Sequence, residues 1–218
     1  MTIAKPQPLS VISSNLDADN LAKLSDNKIS TQAQNGTDTV SITLGVVRQN
    51  VLSLSNLEAD AVNITLYGYA DTVLEVKSIS LLYAEIADIW GYFYASYLSN
   101  DELILRFDIQ KGVLKIKIDI VNPSQIAKVG NLLLGEALSI GVTDVNFKSG
   151  IRDFSIKEAD EFGDTFIVER GFVKRGNFTI YVLRDSYSKV LKYLSQIRAM
   201  PVLFMADDNG LLEGAVMY

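Results

Sequence analysis

A chain of 218 residues that is 48% hydrophobic, with mean hydropathy +0.18, suits one large domain or two small ones and carries enough apolar material to order most of itself. Twenty basic side chains against 26 acidic ones leave a net charge of −6, which argues against the basic patches that bind a nucleic-acid backbone. Cysteine is absent, which excludes disulfides, thiolate nucleophiles and Cys-zinc sites; histidine is absent too, and with it the side chain best matched to proton transfer near neutral pH. No apolar run reaches the roughly 18 residues of a membrane-spanning helix, and MTIAKPQPLS lacks the charged-then-apolar pattern of a signal peptide.

Residues 1–9 are polar, hold Pro6 and Pro8 and show no periodicity, so they read as an extended N-terminal arm. Leu16, Leu21 and Leu24 are spaced for one helical turn or for loop anchors. Alternation begins at Val40, Ile42 and Leu44, closed by Gly45. Val51–Leu54 gives another short strand. Val62, Ile64 and Leu66 alternate with Asn63, Thr65 and Tyr67 up to Gly68, and Val73–Leu82 alternates less cleanly. The run Trp90 to Tyr97 is the densest in aromatics and reads as a strand with Trp90, Tyr92 and Tyr94 on one face. Leu103–Ile109 follows. A turn at Lys111-Gly112 leads to Ile116, Ile118 and Ile120 facing away from Lys115, Lys117 and Asp119, and these two segments are expected to form an antiparallel hairpin. Asn122-Pro123-Ser124 breaks the pattern before a more buried strand, Gly130–Gly135.

After Leu138 the pattern changes. Phe154–Val168 reads as a hairpin with an acidic tip, and Gly171–Leu183 as one long strand with Phe178, Ile180 and Val182 on one face. A helix is expected over about Ser186–Ala199, capped by Asp185 or Ser186, packing Tyr187, Val190, Leu194 and Ile197 inward and stopped by Pro201. Val202–Met205 and Leu211–Tyr218 complete the strands. The chain is therefore expected to be mainly β: a jelly-roll or β-sandwich over 10–139, then a smaller β-rich domain with one helix over 140–218. The C-terminal strand is apolar to its last residue, and an edge of that kind invites pairing with another chain.

Few residues offer chemistry. Asp160-Glu161, Gly163 and Asp164 suggest Ca²⁺, but lack the spacing of an EF-hand loop and read more simply as a solvated turn. Asp153, Glu158 and Asp160 are carboxylates on a hairpin, where nothing fixes a catalytic separation. The Trp90/Tyr92/Tyr94 face would stack on a sugar or pack into a core. Gly130–Gly135 has no phosphate-loop continuation. These residues predict no catalytic, cofactor-binding or metal site and no enzyme.

Several stretches together carry a family resemblance. Val11–Asn15, Asp19–Ala22, Ser25–Asn27, Ser30-Thr31, Val40–Gly45 and Asn56–Gly68 resemble the opening of galactose-binding-like (discoidin-type) β-sandwiches. Ile126–Leu138, Val142–Asp153, Ser155–Phe166 and Leu194–Phe204 resemble later segments of tailed-bacteriophage tail proteins that carry this domain. The resemblance implies a structural protein of the virion in the tail, neck or baseplate, an adaptor or connector assembled in the host cytoplasm. It would work by contacts with copies of itself in a symmetric ring, with other tail or neck proteins and with fibre proteins, and with neither nucleic acid nor membrane. The alternative is a carbohydrate-binding module that contacts host-surface glycans. In calcium-binding members of the fold a loop aspartate and threonine are completed by a glutamate. Asp26 and Thr31 match, while Asn27 replaces a glycine and Asn131 stands where the glutamate is expected.

Overall fold

A computed structural model of the chain describes residues 1–26, 28, 31–83, 98–144, 148–159, 164–205 and 216–217. It is mainly β and divides into two compact units, Gln7–Glu136 and Met1–Pro6 with Ala137–Tyr218. The strands in chain order begin with β1 (Thr2–Pro6) and β2 (Val11–Ser14). Then come β3 (Thr39–Gly45), β4 (Val51–Glu58), β5 (Ala61–Tyr67) and β6 (Val73–Ser80). The short pair β7 (Leu82–Tyr83) and β8 (Leu98–Ser99) is followed by β9 (Glu102–Arg106), β10 (Lys115–Val121) and β11 (Lys128–Ser139).

The first unit is a sandwich. One antiparallel sheet has the order β2-β3-β10-β5-β6. The facing layer sets β4 between β9 and β11, again antiparallel. Alternation dictates the core. Ile116, Ile118 and Ile120 lie opposite Leu44, Ile42 and Val40 on one side and Leu66, Ile64 and Val62 on the other, and all are fully or almost fully buried. Leu52, Leu54, Leu132 and Leu134 close the core from the second layer. Each such side chain contributes roughly 1.5–3 kcal/mol by leaving water. Leu16 and Leu24 are also buried, at either end of the helix α1 (Ala18–Lys23), whose N-cap Asp17 accepts the Asn20 N–H at 2.7 Å.

One expected pairing fails here. Leu103–Arg106 and Lys115–Val121 do not form a hairpin with each other: β9 pairs with β4, and β10 pairs with β3 and β5 in the other sheet. The link between them is a 3-10 turn at Ile109–Lys111 that ends on left-handed Gly112, and it carries the chain across the core. Both strands are amphipathic, so alternation alone allowed either partner. The Trp90–Tyr97 run lies outside the described residues.

The second unit begins at the other end of the chain. Residues 2–6 are not a free arm. They form β1, in which Thr2, Ile3 and Ala4 are buried, and β1 pairs antiparallel with β18 (Val202–Met205). Three buried small or branched residues are too short a run to show a period, which is why the segment reads as unstructured. The Met1 ammonium donates to the Gly141 carbonyl at 2.6 Å, and the Ile140 N–H donates to the Met1 carbonyl at 3.0 Å. Gly141 has φ +158°, and a Cβ there would run into the Tyr181 carbonyl oxygen, so the close approach requires glycine.

The expected strand from Gly171 to Leu183 is broken at Phe178-Thr179. Its first part pairs with β13 (Lys148–Asp153) as β16 (Phe172–Asn177). Its second part pairs with β12 (Val142–Thr143) as β17 (Ile180–Tyr181). Between β13 and β16 the hairpin of β14 (Ile156–Ala159) and β15 (Thr165–Val168) forms as expected. The helix α2 (Tyr187–Ile197) also forms, but its inward face is Val190, Tyr193 and Ile197. Tyr187 and Leu194 stand largely outside the core, because the buried stripe runs along i, i+3, i+7 and Leu194 sits one position round from it. Ser186 makes no side-chain cap: a 3-10 turn at Arg184–Ser186 feeds the helix and holds Ser186 in a helical conformation. A terminal strand, β19 (Val216–Met217), pairs with β18.

Candidate functional site at one end of the sandwich

The outward face of the five-stranded sheet follows from the same alternation that fills the core. Register places Gly45, Lys115 and Tyr67 in one row, Thr43, Lys117 and Thr65 in the next, and Ser41, Asp119 and Asn63 in the third. These side chains are half-buried by one another and satisfy one another. The Ser41 hydroxyl donates to Asp119 at 2.5 Å, the Lys117 ammonium to the other Asp119 oxygen at 2.8 Å, and the Ser78 hydroxyl to Asn63 at 2.6 Å. The Asp119 hydrogen bond holds the Lys117 ammonium above the usual lysine range.

At the Tyr67 end of this face the β5–β6 connection is strained. Gly68 N–H donates to the Thr72 carbonyl at 2.8 Å and Thr72 N–H to the Tyr69 carbonyl at 3.2 Å. The two residues at the tip, Ala70 and Asp71, have φ of 53° and 58°. Hairpin tips of this hand favour Asn-Gly, because left-handed backbone costs other L residues roughly 1–2 kcal/mol each. Two braces offset that cost. The Thr72 hydroxyl donates to the Tyr69 carbonyl at 2.9 Å, and Lys115 pairs with Asp71 at 2.5 Å. The result presents Tyr69 with 85% of its surface exposed, beside the polar rows of the sheet. An exposed aromatic ring on a tip braced by a charged pair suits stacking on a flat polyhydroxylated ligand. No sequence signal marks it: the tip has no Asn-Gly, and one tyrosine in a turn has no period.

Other candidates sit elsewhere. Asp26 and Thr31 do come together, with the Thr31 hydroxyl 3.0 and 2.8 Å from the two Asp26 oxygens and the Lys28 N–H at 2.9 Å. Burial opposes ionisation of Asp26, but the Lys28 N–H and the Thr31 hydroxyl outweigh it with help from the Lys28 and Lys23 charges, and the carboxyl lies below its ordinary range. The loop's ends are pinned by Leu132 N–H on the Leu24 carbonyl and by the Ala33–Val129 bridge. These residues do not fit a calcium site. One carboxylate faces two hydrogen donors, Asn131 pairs with Ser55 in the strand ladder and adds no charge, and among the described residues no cluster of three acidic ligands exists.

Asp153 lines an open groove of about 430 Å³ with Ile151, Ser155, Lys157, Ile167 and Phe172. The Ser155 hydroxyl and N–H hold its carboxyl below the ordinary range. Glu158, on β14, is of opposite parity to Asp153, on β13, and is not part of that lining, so these two carboxylates are not brought together. Asp160, Glu161 and Gly163 lie outside the described residues. Gly130–Gly135 is part of β11.

No protein-family model matches the chain, and no curated protein matches it by sequence. Among solved structures the chain is similar to CBM32-3 from a family 31 glycoside hydrolase of Clostridium perfringens, at 16% identity and TM-score 0.41, with 61% of this chain and 94% of that one covered. It is similar to the F5/8 type C domain of a Bacteroides fragilis protein, at 13% identity and TM-score 0.35, covering 60% and 98%. It is also similar to reduced XRCC1 bound to the DNA pol beta catalytic domain, at 13% identity and TM-score 0.37, covering 61% and 99%.

Proposed function

We propose that this chain is a carbohydrate-binding protein whose sandwich takes up a glycan at the Tyr69 end of the five-stranded sheet. The observation that carries the reading is the strained tip: two non-glycine residues in left-handed backbone hold one tyrosine almost wholly in solvent, and strain of that kind is kept where a site needs a fixed geometry. The Lys115–Asp71 pair, both side chains partly exposed, supplies charged contacts for sugar hydroxyls at that end. A glycan array followed by calorimetry tests it. Binding that falls at least tenfold in Tyr69→Ala and survives in Tyr69→Phe supports the reading. An array without a hit, or a hit indifferent to Tyr69, overturns it.

A second reading is favoured by a different observation. Residues 148–159 and 165–177 form a two-stranded ribbon on which large apolar side chains face solvent, an element that calls for a partner. This supports a structural protein that works by subunit–subunit contacts, the role that the sequence resemblance sets in a phage tail, neck or baseplate. Imaging of assembled particles with this chain labelled tests that reading, and particles that lack the chain overturn it.

A further inference from the structure

The ribbon is continuous from one register to the next. β13 pairs with β16 from Lys148–Asn177 to Asp153–Phe172, and β14 pairs with β15 from Ile156–Val168 to Ala159–Thr165. A bulge at residues 169–171 joins them, braced by the Phe154 N–H on the Gly171 carbonyl and the Arg170 N–H on the Ser155 hydroxyl. Twelve residues on the first strand give a length of ~40 Å. Two strands alone do not build a core, and this ribbon is apolar on both faces: Phe166 is 61% exposed and Ile167, beside it, 64%.

One face has an order that the other lacks. Parity on the first strand puts Lys148, Arg152, Phe154, Ile156 and Glu158 together, and register adds Val168 opposite Ile156 and Phe166 opposite Glu158. Read from base to tip, that face is basic, then apolar, then acidic. Arg152 lies 4.9 Å over the Phe154 ring and marks the border between the first two zones. A Cβ at Gly150 or Gly171 would meet nothing within 4 Å, so the backbone there leaves room for another molecule's side chains. Asp164, of the same parity as Phe166, adds a second carboxylate at that end. The opposite face mixes signs along its length, with Asp153, Lys157 and Glu169.

From this we propose that the ribbon's Phe154–Phe166 face docks on the same face of a second copy of this chain, antiparallel and two-fold symmetric. A basic-apolar-acidic strip is complementary to itself only when reversed. Antiparallel stacking sets Lys148 and Arg152 of each copy against Glu158 and Asp164 of the other and closes the four apolar side chains over one another. Parallel stacking would set like charges together. Strips of this length and two strands' width cover ~400 Å² per copy, which is at the low end for a specific interface, so the pairing is reversible and weakens with salt. The inference deepens the second reading and rests on it only for the need of a partner; a monomeric chain overturns the pairing, whereas particle imaging decides the location.

Sedimentation velocity on the full chain at low and high salt tests it. The wild type is expected to dimerise, more weakly at high salt. The tip variant Glu158→Lys with Asp164→Lys and the base variant Lys148→Glu with Arg152→Glu should each be monomeric alone. Mixed in equal amounts they should form a heterodimer, because each reversed end then meets its opposite, and a misfolded variant would not give that rescue. Phe166→Ser should weaken the dimer at least tenfold. A wild type that stays monomeric up to about 100 μM, as it would if another protein covered the ribbon, overturns the proposal. So does a dimer unchanged by the charge reversals, or a mixture that fails to pair.

Discussion

Gly130 lies directly beneath Asn56. A Cβ at residue 130 would stand 2.6 Å from the Asn56 Cβ, and Asn56 itself is held at φ 55°, so neither backbone nor side chain has slack at this crossing of β11 and β4. The Asn56 side chain is further fixed by Gln32, whose amide donates to its oxygen at 3.1 Å.

Gly130→Ala is therefore expected to lower unfolding free energy by ~1–3 kcal/mol through overpacking. Asn56→Gly removes the obstructing atoms and relaxes the left-handed backbone. The double variant should recover part of the loss, and denaturant titration of the two single variants and the double measures that coupling. Additive effects would show that the two residues do not press on each other.

The helix α2 offers a direct check of which side faces inward. Ile197 is 4% exposed and Leu194 is 37% exposed. Ile197→Ala should cost ~2–5 kcal/mol. Leu194→Ala should cost clearly less, ~1 kcal/mol, since much of its surface stays in water in either state. Equal losses would mean that the buried stripe runs through Leu194 after all.

Acid sensitivity is expected at the β4–β11 pairing. Lys128 donates to Glu58 at 2.7 Å, and that hydrogen bond, against some burial, holds the Glu58 carboxyl below its ordinary range. A carboxyl lowered in the folded state adds stability above its unfolded value, and that stability is lost as pH falls through the folded one. Both side chains are partly exposed, so the contribution is below ~1 kcal/mol. Unfolding free energy of Glu58→Gln should match the wild type more closely at pH ~3 than at pH ~7. A constant gap between the two proteins across that range would remove this pair from the acid response.

The edge strand β6 turns charge toward the core side. Register puts Glu75 opposite Leu66 and Lys77 opposite Ile64, and Glu75 pairs with both Lys77 at 3.2 Å and Lys111 at 2.9 Å. Inward charge of this kind discourages another strand from adding to the edge. Glu75→Val with Lys77→Val should keep the fold and raise light scattering on warming. A variant that scatters no more than the wild type would assign the triad no such role.

The sandwich strands were legible because their faces differ so sharply: Ile116, Ile118 and Ile120 against Lys115, Lys117 and Asp119 admit no other period. What alternation does not encode is the partner, so β9 was paired with its neighbour in sequence and not with β4. The inward row of α2 is half legible, since Val190 and Ile197 fit the period but Leu194, beside Tyr193, offers an equally periodic apolar position. The Tyr69 tip was not legible at all, because its geometry comes from the Lys115–Asp71 brace, which joins residues far apart in sequence.

The pairing of β1 with β18 sets an order of events on the ribosome. Thr2–Pro6 is synthesised long before Val202–Met205, so the edge of β1 that pairs with β18 has no partner until those residues are made. The sandwich needs neither strand for its own core and is free to close first. That edge then waits for the distant strand Val202–Met205, a long-range closure that is slow by nature. During that interval the nascent chain offers a short sticky strand to whatever else can pair with it, and a chaperone that shields residues 2–6 would act on the most exposed moment of this protein's life.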